Sequence, residues 1–139
     1  MKYRYLDHTA DAKFQAFGLD LAEAFQNAAL ATAGLMWDVH GIALKKTQTI
    51  EVAGIDLKQL LMGFLGEILY LLDSRRFLLG AVESVELIKE DSGYNLKAVF
   101  KGDLQVGQYE MFGDVKAITY NEMRVQQCDP CMVQVVVDM

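Results

Sequence analysis

Tyr3 and Tyr5 fall on one side of an alternating run, with Arg4 and Leu6 on the other, and this predicts a strand over 2–7. A second strand is expected over 11–18, with residues 7–11 as the corner between them. At Asp20 the period lengthens. Leu21, Ala24, Phe25, Ala28, Thr32, Leu35 and Met36 recur at helical spacing, behind a capping box of Asp20 and Glu23. Gly34 weakens the last turn, and Trp37, Asp38, His40 and Gly41 mark the exit. Residues 46–53, rich in Thr, Val and Ile, predict a third strand. Asp56 and Gln59 then open the strongest helix of the chain, whose apolar stripe includes Leu57, Leu60, Leu61, Phe64, Leu65 and Ile68. Its other face carries Met62, Gly63, Gly66 and Tyr70 beside Glu67. That face reads first as packing against a loop of its own chain and second as a partner surface.

From Phe77 onward every pattern is that of strands. They are expected over 81–89, 94–101, 114–121 and 132–138, with a turn at 90–93, a connection at 102–107 and residues 122–127 after the third of them. Two early helices followed by strands predict an α+β fold. A largely antiparallel or mixed sheet would carry both helices on one face, in a single domain of residues 1–139.

Composition narrows the function. Hydrophobic residues make up 53% of the 139, with one proline and eleven glycines, so a packed core is expected and linkers are not. A net charge of −6 argues against a direct electrostatic grip on nucleic acid, but not against a protein partner that holds one. The start of the chain lacks the apolar region of a signal peptide. The longest apolar block, 60–72, is interrupted by Glu67 and too short for a bilayer, so a cytoplasmic protein with no membrane contact is expected.

Candidate chemistry is sparse. Neither a GxxxxGK[ST] loop, a GxGxxG turn nor a GxSxG elbow is present. His8 and His40 are the only histidines, too few for most His-based catalysis or zinc binding. Cys128 and Cys131 have C-x-x-C spacing. With Pro130 between two strands they read first as a hairpin turn, and second as a reversible disulfide. Lys116 reads as a lysine on a solvated strand face, and Trp37 as core. Asp7-His8-Thr9-Ala10-Asp11 is the densest polar stretch, and His8 there reads first as a corner histidine bonding local backbone. The last strand ends in Asp138 and the α-carboxylate of Met139. Two anionic groups this close are either solvated or neutralised by a hard divalent cation, with Asp11 as a further ligand if the last strand pairs near the first ones.

Five segments taken together resemble the archease family. They are the Asp7–Asp11 stretch, the helix running into Met36-Trp37-Asp38, the 64–73 segment FLGEILYLLD, the strand DVKAITY at 114–120, and the terminal Val137-Asp138-Met139. They occur in the family's order along the whole chain. Phe64 stands where the family has tryptophan, Tyr109-Glu110 where many members have His-Glu, Phe112 where many have lysine, Asn121 where many have histidine, and Met139 in place of the terminal aliphatic residue. These departures fall on partner contacts more than on the acidic site, and imply a partner of a somewhat different lineage.

The resemblance implies a protein that is not itself an enzyme. It would activate an RtcB-type RNA ligase of tRNA splicing and RNA repair, promoting that ligase's GTP- and manganese-dependent guanylylation and its multiple turnover. RNA would be met only through the ligase. The resemblance also implies a divalent ion, calcium first and manganese or magnesium as alternatives, bound by Asp11, Asp138 and the terminal carboxylate of Met139. It marks Lys116, His8, Asp7, Asp38 and Glu67 as functional or partner-contact residues. A chaperone-like interaction module is the alternative. A metal-dependent hydrolase using Asp7, Asp11 and Asp138 ranks last, because no base or nucleophile is set beside them.

Overall fold

The computed structural model describes residues 1–7 and 11–139. The corner expected at 7–11 therefore falls largely outside the described residues, and with it the supporting role assigned to His8. Strands β1 (Tyr3–Leu6) and β2 (Ala12–Gly18) flank it. They are followed by helix α1 (Leu21–Gly34), a 3-10 turn (Val39–Gly41), β3 (Lys46–Gly54), helix α2 (Leu57–Arg75), β4 (Phe77–Glu90), β5 (Gly93–Leu104), β6 (Ala117–Gln126) and β7 (Cys131–Asp138).

The strands form two sheets rather than one. The order is β1-β2-β7-β6 in the first and β3-β5-β4 in the second, and every pairing is antiparallel. Both helices touch both sheets, α1 through β2 and β4 and α2 through β6 and β3. A helix lined on several sides has no solvated stripe. Accordingly Ala24, Phe25, Asn27 and every residue from Ala28 to Ala33 are buried in α1. Asn27 is satisfied there by donating from Nδ2 to the Phe17 carbonyl at 2.7 Å. At the centre, Phe64 of α2 stacks on Phe25 of α1 at 6.2 Å and meets Phe100 of β5 at 5.6 Å. Trp37 is core, as expected, with its indole N–H donating to the Leu79 carbonyl at 2.9 Å.

Both helix starts follow the sequence signals. The Asp20 carboxylate accepts from the Glu23 N–H, and the Asp56 carboxylate from the Gln59 N–H, each at 2.8 Å. The reciprocal bonds reach one residue further back than in a standard capping box, to the N–H of Leu19 and of Ile55. Replacing Asp56 by alanine leaves a first-turn donor without its acceptor. It should lower stability by about 1 kcal/mol. The check is a fall of about 3–4 °C in the thermal midpoint.

Several boundaries differ from expectation, among them the start of β4 at Phe77 rather than at 81. The 102–107 segment is a connection only from Gln105. Gly102 lies inside β5, paired with Lys46 on one side and Leu79 on the other, where a Cβ would collide with the Leu78 carbonyl. Strand β6 starts at Ala117 rather than at 114 and then runs through a bulge between Thr119 and Arg124, absorbing the segment expected to follow it. Cys128 and Cys131 lie at the β6–β7 turn, where the hairpin was expected, and are joined by a disulfide.

Candidate functional site

The β2–β7 ladder brings the two ends of the chain together. Its last pair is Ala12 with Val137, and one step further along both strands stand Asp11 and Asp138. Side chains alternate across a sheet. Phe14, Ala16, Val133, Val135 and Val137 face the helices and are fully buried. Asp11 and Asp138 therefore share the opposite face. Lys13, Gln15 and Gln134 lie on that face too, joined by cross-strand bonds: Gln15 Nε2 donates to Gln134 Oε1 at 2.9 Å, and Lys13 pairs with Glu122 at 3.1 Å. Like charges directly opposite one another on neighbouring strands repel. The pair thus favours a positive charge between its two members. An all-oxygen set of carboxylates suits a hard divalent ion. Among the described residues no cluster of three or more His, Cys, Asp or Glu side chains that could hold a metal ion is formed.

Lys116 stands on the other side of the sheet. Its backbone N–H donates to the Asp138 carbonyl at 2.8 Å, one residue before β6 begins. Its side chain lines a depression of about 280 Å³ with Leu69, Leu72, Asp73, Asp114 and Val115. The structure thus joins Lys116 to the carboxylates through the backbone while facing its side chain toward α2.

The other marked residues lie outside the β2–β7 ladder. Asp7 is exposed just after β1. Asp38 is exposed at the start of the 3-10 turn. Glu67 is half-buried on α2, where burial raises its carboxyl above the usual range against the opposing pull of Arg75. A raised carboxyl pKa favours the neutral form in the folded state, so its contribution is fully present below the unfolded pKa and lost as pH rises through the folded one. Glu67→Gln should therefore raise the thermal midpoint at pH 7 by about 1–2 °C, a gap closing as pH falls toward 4. A pH series of melting curves reads this.

The expected packing of the glycine face on the molecule itself holds only in part. Val52 of β3 sits beside Gly63, whereas, its chain neighbours and the helix's own backbone aside, no described atom lies within 4 Å of a Cβ built on Gly66, and Tyr70 is exposed. Phe64, where the family has tryptophan, is fully buried, so that departure is a core change rather than a lost surface contact.

Sequence reasoning singled out Tyr109 only as a departure from the family's histidine and missed its bond to Asp103. The Tyr109 hydroxyl donates to Asp103 Oδ2 at 2.7 Å and accepts the Ala43 N–H at 3.1 Å. This hydrogen bond, the largest influence on either group, holds the Asp103 carboxyl below the usual range and the Tyr109 phenol above it. No spacing rule links residues 43, 103 and 109, so the network has no local signature.

The fold and site together define a small α+β protein in which the start of β2 and the end of β7 meet in an acidic tip. The profile of the archease protein family (MTH1598/TM1083) matches residues 3–139. Among curated relatives, the protein archease of Pyrobaculum neutrophilum is 40% identical over 139 residues, covering 98% of this chain and 94% of that one. That of Archaeoglobus fulgidus is 39% identical over 140 residues, with 99% and 98% covered. A protein archease-like of Drosophila melanogaster is 34% identical over 129 residues, with 91% and 81% covered. The solution structure of Methanobacterium thermoautotrophicum protein 1598 superposes with a TM-score of 0.84 at 28% identity, covering 99% of both chains. The chain belongs to the archease family.

Proposed function

We propose that this protein activates an RtcB-type RNA ligase, promoting its GTP- and manganese-dependent guanylylation and its multiple turnover in tRNA splicing and RNA repair. Family membership over residues 3–139 supports the reading. The observation that carries the site is the placement of Asp11 and Asp138 one step beyond the Ala12–Val137 pair. Asp11, Asp138 and the Met139 carboxylate would hold a divalent ion, with calcium the first candidate. When bound, the ion supplies the positive charge that lets an acidic tip approach phosphate oxygens. Asp11 and Asp138 offer oxygens from one sheet face, while Lys116 offers a cation from the other side for phosphate or partner carboxylates. Asp7, Asp38 and Glu67 are assigned to partner contact around them. A chain of net charge −6 meets RNA through the ligase rather than directly, in the cytoplasm where that ligase works. The protein forms no covalent bond to substrate in this scheme.

The test is turnover. With the partner ligase limiting and broken RNA in excess, ligated product should exceed one equivalent per ligase only when this protein is present. A second reading, a chaperone-like module, draws on the open face of α2 at Gly66 and Tyr70. It predicts protection of unrelated unfolding proteins without any gain in ligated product.

A further inference from the structure

Residues 105–116 have no regular secondary structure, yet they are tied down along their length. At the start, the Gln105 N–H donates to the Arg76 carbonyl at 2.8 Å, behind α2. In the middle, the Phe112 N–H donates to the Met36 carbonyl at 3.0 Å, and Gly113 lies so close to the Leu35 carbonyl that a Cβ would collide with it. At the end, the Lys116 N–H donates to the Asp138 carbonyl at 2.8 Å. A Cβ on Gly113 would also lie 3.4 Å from the Met139 Cε. This segment is thus a strap lying against both of the C-terminal residues of the tip.

The strap is fastened by side-chain groups in one place in particular. Tyr109 reaches inward to the Asp103 carboxylate and the Ala43 N–H, bridging β5 and the segment before β3. Asp103 is only 7% exposed, and its other oxygen accepts the Leu104 N–H at 2.9 Å. Gln105 closes the short loop around Tyr109, donating from Nε2 to the Tyr109 carbonyl at 2.8 Å and accepting the Tyr109 N–H at 3.1 Å. Met111 and Phe112, just beyond this clasp, are exposed and contribute little burial of their own to hold the strap down.

We propose that Tyr109 is a positioning residue for the acidic tip: its hydroxyl clasps the 105–116 strap to the body and so sets where the strap meets Asp138 and Met139. The clasp stands on its own geometry, and the consequence for ion binding rests on the reading of the tip given above. Tyr109→Phe removes one oxygen and leaves the ring. It strands the Asp103 carboxylate oxygen and the Ala43 N–H, both of which the hydroxyl now satisfies.

The experiment compares wild type, Y109F, D103N and a control, V85A, on β4 away from the strap. It reads amide hydrogen exchange at Phe112 and Lys116, and calcium affinity by calorimetry well below the thermal midpoint. In Y109F, exchange at both amides should quicken by about tenfold or more. Calcium binding should weaken by roughly three- to tenfold, as expected when a site loses rigidity. D103N has one amide oxygen for two donors, the Tyr109 O–H and the Leu104 N–H, and should move both readouts in the same direction as Y109F, whereas V85A should stay near wild type in both even where its midpoint falls as far. Unchanged exchange in Y109F, faster exchange with unchanged calcium affinity, or a V85A effect as large as that of Y109F would each overturn the proposal. Failure of wild type itself to bind calcium counts against the ion-binding tip, and the exchange comparison then decides the clasp alone.

Discussion

Asp138→Ala should abolish ligase stimulation while leaving the fold intact. Asp138 ends β7, is exposed, and packs no side chain into the core, so its removal makes no cavity. It should even relieve repulsion from Asp11 on the neighbouring strand. Without added ion, the variant should therefore melt at or slightly above the wild-type midpoint. Calcium reverses the order. A ligand at 100 times its Kd stabilises the folded state by about 2.7 kcal/mol, roughly 8–10 °C for a chain of this size. Wild type should show that rise. The variant, with one of three anionic donors gone, should bind calcium about 100-fold more weakly and show little of it. Deleting Met139 moves the terminal carboxylate and should act in the same direction. Retained stimulation of the ligase by either variant would sink the assignment of the tip.

Phe64→Ala should produce the largest loss of stability. The ring is fully buried between Phe25 of α1 and Phe100 of β5, so it links both helices to the second sheet. Truncation removes ring contacts with both and leaves a cavity that rigid neighbours on α1 and β5 cannot collapse into. The cost should be about 3–5 kcal/mol. Thermal unfolding should then fall by roughly 10 °C or more. Tyr70→Ala, on the exposed face of the same helix, should move the midpoint by no more than about 2 °C. A similar loss for both would mean that the helix core does not lie where the structure puts it.

These two residues show what sequence makes legible. Phe64 stands in an apolar stripe at helical spacing, and burial follows from the pattern alone. Asp20 and Asp56 announce their helices because a carboxylate placed just before an apolar-periodic run satisfies the free N–H groups of the first turn. The division into two sheets is not local. It depends on β5 pairing with both β3 and β4 while β7 pairs with β2 and β6, and each strand reads equally well in either sheet. The bulge in β6 likewise breaks no pattern that a strand-by-strand reading detects.

The site divides in the same way. Asp11 and Asp138 are separated by nearly the whole chain, yet their meeting is expected once the last strand pairs near the first ones, as β7 does with β2, and the resemblance to archease names the same residues. The facing of Lys116 is different. Its strand pattern places it on a solvated face but does not say that Asp73 and Asp114 share its depression while Asp11 and Asp138 lie across the sheet. The clasp made by Tyr109 is invisible in sequence because its partners, Asp103 and Ala43, meet it only through the course of an irregular strap.

The central claim is tested most directly by following covalent guanylylation of the host's own RtcB-type ligase with GTP and manganese, with this protein substoichiometric to the ligase. Activation predicts faster accumulation of the guanylylated ligase, with each molecule of this protein serving many ligase molecules. Guanylylation at the same rate with and without the protein, in a preparation whose ligase is active, would contradict it.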